Sequence, residues 1–381
     1  MEFQLSDKAK DYIARTKAFI ETEIEPIEAE FWQAAHKLNP TGDWTTWQWP
    51  AKLEELKTKA RAQNLWNMFL PDETLGQGLS VQEYAHIAEL SGRSLIAPHV
   101  FNCNAPDSGN MELIWRYGND AQKQQWLTPL LAGEIRSVFG MTEPAVASSD
   151  ATNMQATAIV EGDEIVLNGR KWWSSGLGDP NAKLIIFMAH TPDESKDRHH
   201  QHTMVLVPID AKGVKIERML KVFNDYDAPH GHGEMRFDNV RVPLSNVIGG
   251  AGEGFAIAQG RLGPGRIHHC MRCIGAAEKS LELAIDRGLS RSAFGKPLLD
   301  LGGNRERIAD ARVKIDQARL LTLYAAYKMD KLGTKAALTE ISAIKVVAPT
   351  VLQEVVDMAI QLHGGMGVSQ DTLLPMFFNQ A

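Results

Sequence analysis

From residue 6 to about 135, apolar positions recur at three- and four-residue spacing, the period of helices buried along one face. Ala9, Tyr12, Ile13, Thr16, Phe19 and Ile20 form one stripe, with Ser6-Asp7 placed to cap it. Trp44, Trp47, Trp49 and Pro50 mark an irregular connection, after which Leu53, Leu56, Ala60 and Leu65 restore the helical period. Pro71 to Gly78 reads as a loop, Ser80 opens the next helix, and 107–117 and 121–131 predict two more, separated by Gly118. The period then changes. Short apolar or alternating runs occupy 154–160, 164–167, 184–189, 204–209, 214–217 and 234–242, divided by turn signals at Glu161-Gly162-Asp163, Asn168-Gly169 and Asp179-Pro180. Close-spaced strands of this kind predict a β-sandwich or barrel. The polar stretch 192–202 reads as a surface loop. After Gly249-Gly250-Ala251-Gly252-Glu253-Gly254 the helical period returns over 255–288, with a disturbance expected near Gly263-Pro264-Gly265, and again over 305–332 and 338–362.

The resulting class is α+β and multi-domain: a helical domain (1–135), a central β domain (136–250) and a C-terminal helical bundle (251–381). Helices and strands are segregated rather than alternating, which excludes a Rossmann fold. The glycine run at 249–254 lacks GxGxxG spacing and a downstream acidic residue, so it reads as a domain junction. Composition adds limits. The 381 residues are 44% hydrophobic and 23% charged, with a formal net charge of −7 and no basic block. A nucleic-acid partner is therefore not expected, since backbone phosphates call for a clustered basic face. Cys270-Met271-Arg272-Cys273 lies in a helical stretch without a second pair, so it and Cys103 read as buried thiols of a reducing compartment. The N-terminus has neither an apolar signal core nor a basic presequence, and no run of eighteen apolar residues occurs. A cytoplasmic protein without a membrane span is expected.

The candidate chemistry lies in two segments. Phe139-Gly140-Met141-Thr142-Glu143-Pro144 ends an apolar run in a turn and leads into Ala147-Ser148-Ser149-Asp150. Asn168-Gly169-Arg170-Lys171-Trp172-Trp173-Ser174-Ser175 reads as strand, turn, strand, and sets an indole beside two hydroxyls. Turn N–H groups and hydroxyls suit a polar ring edge or a phosphate, and an indole suits a flat aromatic ligand. Adjacent His268 and His269 point about 100° apart on a helix and cannot share a metal. His230 and His232 lie in a Gly/Pro loop with Asp227 and have no evident third ligand, so no metal is expected.

Five motifs in order, within a helix–β–helix arrangement, resemble the acyl-CoA dehydrogenase family across essentially the whole chain. They are Met141-Thr142-Glu143-Pro144, Gly169-Arg170-Lys171-Trp172-Trp173, Phe237-Asp238-Asn239-Val240-Arg241-Val242-Pro243, Arg291-Ser292-Ala293-Phe294-Gly295-Lys296 and Gln361-Leu362-His363-Gly364-Gly365-Met366-Gly367. Asp227 to His232 and Gln259 to His269 resemble the branch whose animal members are fused to an aminoglycoside-phosphotransferase-like kinase. The resemblance implies FAD as cofactor, with Met141 and Thr142 along the flavin pyrimidine side, Ser148 or Ser149 at the pyrophosphate, Trp173 stacked at the isoalloxazine and Ser175 near its N5 edge. It implies that Arg291, Phe294, Gln361, Gly364 and Gly365 hold the ADP half of a neighbouring subunit's FAD, hence a homodimer or homotetramer. Many relatives carry Gln where this chain has Gly302. Arg266 is implied at the acyl-CoA entrance, and His230 and His232 are candidate polar groups of the substrate pocket.

The implied reaction is α,β-dehydrogenation of an acyl-CoA thioester, with electrons passed to electron-transferring flavoprotein. The branch adds 4-hydroxy- or 4-phospho-acyl-CoA as candidate substrates. An acyl-CoA oxidase, a flavin monooxygenase, or a non-catalytic flavin- or nucleic-acid-binding relative are the alternatives on the same fold. The family's catalytic carboxylate is expected beyond Ala381, because Gly265 occupies its alternative position and Glu143 is tied to its own turn.

Overall fold

The strands between Arg136 and Pro243 join a single seven-stranded sheet in a computed structural model that describes residues 4–381. They are β1 (Arg136–Gly140), β2 (Thr157–Glu161), β3 (Glu164–Ser175), β4 (Ala182–His190), β5 (His202–Pro208), β6 (Val214–Leu220) and β7 (His232–Pro243). The order is β1-β4-β2-β3-β7-β6, with β5 also paired to β4. β1 and β4 run parallel, whereas β2–β3, β3–β7, β4–β5 and β6–β7 are antiparallel. The run Leu184–Ala189 is buried throughout, so β4 is covered on both faces and reads as a continuous apolar stretch rather than an alternating one. Phe187 and Phe237 meet with ring centroids 4.1 Å apart at the centre of this core, which also takes in Trp47.

Asn168-Gly169 was expected to turn the chain, and it does not. β3 runs through it to Ser175, and the pairing with β7 shifts register between Leu167 and Gly169. The dipeptide forms a bulge. Gly169 has φ +142°, and a Cβ there would lie 2.4 Å from the Ala156 Cβ. Asn168 Oδ1 accepts the Asn239 N–H at 2.8 Å and closes the irregularity. The actual reversal is one signal earlier, at Gly162 (φ +66°). His232 also differs from expectation: it opens β7 instead of lying in the preceding loop.

The described chain packs into two compact units. One comprises Gln33–Ala51 and Asn102–Leu262 and contains the sheet; the other comprises 4–32, Lys52–Phe101 and Gly263–Ala381 and is helical. The division falls inside the 37-residue helix Gly254–Ser290, which carries Pro264 without a break.

In the helical unit, Ser6 caps Asp7–Phe19 by accepting the Ala9 N–H at 3.1 Å, and Ser80 with Glu83 forms a capping box on Val81–Gly92. Gly92 and Gly275 let Val81–Gly92 and Gly254–Ser290 approach closely. A Cβ at Gly92 would lie 2.3 Å from the Arg272 carbonyl oxygen, and one at Gly275 would lie 1.9 Å from that of Glu89. Arg319 links Glu89 (2.7 Å), Asp316 (2.5 Å) and Glu278. Cys103 and Cys270 are buried and Cys273 half-buried. His268 is buried edge-on to Tyr84, with centroids 4.7 Å apart, while His269 is exposed. Among the described residues no helix is long and apolar enough to cross a membrane.

Glu28 provides a test of this packing. It is buried and accepts from Ser94 Oγ (2.8 Å) and from the Leu95 N–H (2.6 Å). Burial raises its pKa from 4.5 to about 7, against the pull of those donors. The native state therefore holds a proton that the unfolded chain releases, and stability falls as pH rises between these values. In urea titrations, the stability of Glu28→Gln relative to the native protein should rise from about pH 5 to about pH 8. A gap that stays constant with pH would refute the assignment.

Candidate functional site

In the sheet unit the candidate site is built around a buried ion pair. Lys171, fully buried in β3, donates to Glu143 Oε1 (2.7 Å) and to the Met141 carbonyl (3.0 Å), with the Phe187 ring centroid 5.1 Å from its Nζ. Burial lowers the Lys171 pKa to about 8, and Glu143 opposes the shift. The Glu143 carboxylate also accepts the N–H groups of Gln155 (2.8 Å) and Ala156 (3.0 Å). Both of its oxygens are thus engaged in holding the turn. The same turn is stitched to β3 a second time: Thr142 Oγ1 donates to the Trp172 carbonyl (2.6 Å), and the Trp172 N–H donates to the Thr142 carbonyl (3.0 Å). Ser148 Oγ accepts the Glu143 N–H at 2.8 Å, so its hydroxyl belongs to the turn, whereas Ser149 is exposed.

Trp173 follows with φ +50° and 42% of its surface exposed. A left-handed backbone costs a non-glycine residue about 1–2 kcal/mol, and here it holds a large indole out in solvent. Ser174 is buried, and Ser175 emerges beside His232. The pairing Ser175↔His232 is set by register between β3 and β7. Ser175 Oγ lies 3.0 Å from His232 Nδ1, His232 Nε2 lies 3.5 Å from Asp227 Oδ2, and the Trp173 and His230 rings are 6.0 and 6.2 Å from the His232 ring. Burial depresses both histidines to about 4. They are neutral at pH 7.

The helical unit holds a second candidate. A cavity of 440 Å³ is lined by Arg287, Arg291, Asn304, Arg307, Gln361 and Gly364, among others. Gly364 has φ +65°, a conformation a side chain resists, while the space beside it and beside Gly365 is open. Phe294 is 95% exposed at the hairpin tip that follows Arg291. Arg266 lies on Gly254–Ser290 and is not part of this lining. Three guanidiniums around one cavity suit a pyrophosphate. Among the described residues no group of three His, Cys, Asp or Glu could hold a metal ion.

The sequence brought forward Thr142, Trp173, Ser175, Arg291, Gln361 and Gly364 but missed two partnerships. The link from Ser175 to His232 depends on strand register between segments far apart in sequence. Arg287 and Arg307 join Arg291 only through helix packing. Arg287 is one helical turn before Arg291, a spacing that could have flagged it.

The chain matches three family models in succession: acyl-CoA dehydrogenase, N-terminal domain over residues 6–134, the middle domain over 138–240, and the C-terminal domain over 252–381. It is 50% identical to probable acyl-CoA dehydrogenase FadE2 of Mycobacterium tuberculosis, over 99% of this chain and 91% of that protein. It is 49% identical to acyl-CoA dehydrogenase family member 11 of Gallus gallus, over 99% of this chain and 48% of that protein. A solved Mycobacterium abscessus structure assigned to the acyl-CoA dehydrogenases superposes with a TM-score of 0.95 at 56% identity, covering 99% of this chain and 93% of that one. The chain spans about half the length of the family member 11 proteins it matches. It belongs to the acyl-CoA dehydrogenase family. The fold has the helical, β, helical order expected from sequence.

The buried pair at the base of the site gives a stability test. Lys171→Met strands the Glu143 carboxylate without its cation, and breaking a buried pair in this way costs about 3–5 kcal/mol. Urea unfolding should register that loss, and Glu143→Gln added to Lys171→Met should recover part of it. A loss under about 1 kcal/mol, the range of exposed pairs, would show that the pair does not hold the turn.

Proposed function

We propose that this chain carries the FAD-binding framework for α,β-dehydrogenation of an acyl-CoA thioester, with electrons passed on to an electron-transferring flavoprotein. The observation that carries the reading is Trp173: an exposed indole, fixed in a left-handed backbone, with the Ser175 hydroxyl and the doubly stitched Thr142 turn in the same unit. A flat, polar-edged ring fits that arrangement. A diphosphate fits the arginine-lined cavity of the helical unit.

FAD supplies the hydride acceptor when bound. Trp173 offers it an aromatic face, Met141 and Thr142 offer backbone and hydroxyl groups, and Ser175 a hydroxyl at the ring edge. Ser149 is preferred over Ser148 for the pyrophosphate, because the Ser148 hydroxyl is engaged by the Glu143 N–H. Arg291, Gln361 and Gly364, with Phe294 and Gly365 beside them, form the surface offered to the ADP half of a neighbouring subunit's FAD, so a homodimer or homotetramer is the proposed assembly. The exposure of Phe294, Leu289 and Val313 supports a covered face there. Arg266, His230 and His232 are the proposed polar groups toward acyl-CoA. Glu143 is not assigned as the base, since its carboxylate is committed to Lys171 and two N–H groups.

Trp173→Ala should weaken FAD retention in equilibrium dialysis and shift the flavin absorbance of whatever remains bound. Unchanged affinity and spectrum would make the indole mere packing. Arg291→Ala should loosen FAD by roughly 1.5–3 kcal/mol, the worth of a hydrogen bond to a charged group, with the circular dichroism spectrum intact. A monomer that keeps stoichiometric FAD would overturn the shared-site reading.

A further inference from the structure

We infer that Arg261 is a specificity residue that pairs with a carboxylate on the acyl chain, so that the preferred thioesters are CoA monoesters of dicarboxylic acids. The inference rests on the proposed acyl-CoA reading. It is carried by a guanidinium of the sheet unit that neutral groups alone hold in place. Arg261 Nε donates to Asn110 Oδ1 (2.9 Å) and Nη2 to the Pro106 carbonyl (3.4 Å). Its Cζ lies 4.0 Å from the Phe139 ring centroid. Gly109, in the helix Asp107–Tyr117, leaves the room that the head group fills: a Cβ there would come within 3.1 Å of the same Cζ. Asn110 is itself fixed, since its Nδ2 donates to Ser137 Oγ (2.9 Å) and that hydroxyl donates to Asp107 (2.7 Å).

The two neighbouring carboxylates are engaged elsewhere. Glu112 pairs with Arg116 at 2.6 Å. Asp107 pairs with Arg136 at 3.6 Å and accepts from Asn104 and from the N–H and hydroxyl of Ser137. Among the described residues no carboxylate lies within 4.0 Å of the Arg261 nitrogens. Burial lowers the Arg261 pKa to about 10, with Glu112 and Asp107 opposing, so the group is charged at pH 7. A half-buried cation without a partner is costly unless a ligand supplies one. The Nη1 end of the fork meets no acceptor among the described residues and is not sealed from solvent. A carboxylate approaching end-on would meet parallel N–H groups of Nη1 and Nη2.

The guanidinium borders the proposed flavin seat. Phe139 is two residues before Met141, and Pro106 lies against Gly176, the residue after Ser175: a Cβ at Gly176 would be 3.5 Å from Pro106 Cδ and 3.4 Å from His230 Cε1. The segments that supply Met141 and Ser175 thus flank Arg261, and the distal end of an acyl group seated between them comes to its fork. The rest of that site is uncharged, with Lys171 paired and His230 and His232 neutral, so one guanidinium calls for one negative charge. A carboxylate supplies it. A phosphate monoester brings nearly two, and its excess would face Asp107 and Glu112.

The test is isothermal titration of the FAD-loaded protein with succinyl-, glutaryl- and adipyl-CoA, each against the alkyl ester of equal length, butyryl-, pentanoyl- and hexanoyl-CoA. At least one carboxylated ester should bind about 10- to 100-fold more tightly than its alkyl counterpart, the worth of a hydrogen bond to a charged group. Arg261→Gln should abolish that preference. Gly109→Ala, which keeps the charge but crowds its seat, should reduce it, and this variant decides if Arg261→Gln does not fold. No carboxylate preference at any length, a preference that survives Arg261→Gln or is undiminished in Gly109→Ala, or tighter binding of a 4-phospho-acyl-CoA than of every carboxylated ester overturns the assignment. If the alkyl esters do not bind either, the acyl-CoA reading itself fails and the assignment falls with it.

Discussion

The Lys171–Glu143 ion pair is the constraint on which the sheet unit's candidate site depends. A fully buried ammonium is tolerated only with a carboxylate and a carbonyl in reach, and here both come from the turn that follows β1. Glu143 in turn gathers two N–H groups from the approach to β2. A single buried charge therefore fixes three separate segments against one another. Trp173 is two residues beyond Lys171 on the same strand. The position of the exposed indole is set by a group that never reaches solvent.

That arrangement explains why a strained residue persists where it does. Left-handed backbone at Trp173 is unfavourable in isolation, but the residues before it are pinned by the turn and those after it by pairing with β7. The register shift between Lys171 and Ser174 absorbs the irregularity. The outcome is a rigid platform on a strand rather than on a loop, suited to a ligand whose plane must be held.

Element types were largely legible in the sequence, because periodicity reports one-sided burial directly. Asp107–Tyr117 and Leu338–His363 follow their apolar spacing almost to the residue. Asn168-Gly169 misled for a physical reason: the same pair serves a hairpin or a bulge, and the choice depends on whether another strand, here β7, continues the ladder beyond it. The site was legible where its residues lie close in sequence, as at Met141 to Glu143 and Lys171 to Ser175. It was not legible where tertiary register brings them together, as with Ser175 and His232, or where helix packing does, as with Arg307.

The two candidate sites differ in electrostatic character, and the difference follows from their scaffolds. The strand-borne site is nearly neutral: Lys171 is paired, His230 and His232 are uncharged, and its polarity comes from hydroxyls and backbone groups. Such a surface can distinguish ring edges by hydrogen-bond direction without imposing a field. The helix-borne cavity concentrates Arg287, Arg291 and Arg307 in a chain whose formal net charge is −7. Cations gathered against the overall charge balance carry a repulsion that a bound dianion relieves. Taken separately, the strand-borne surface suits a neutral aromatic ring and the helix-borne cavity suits a diphosphate.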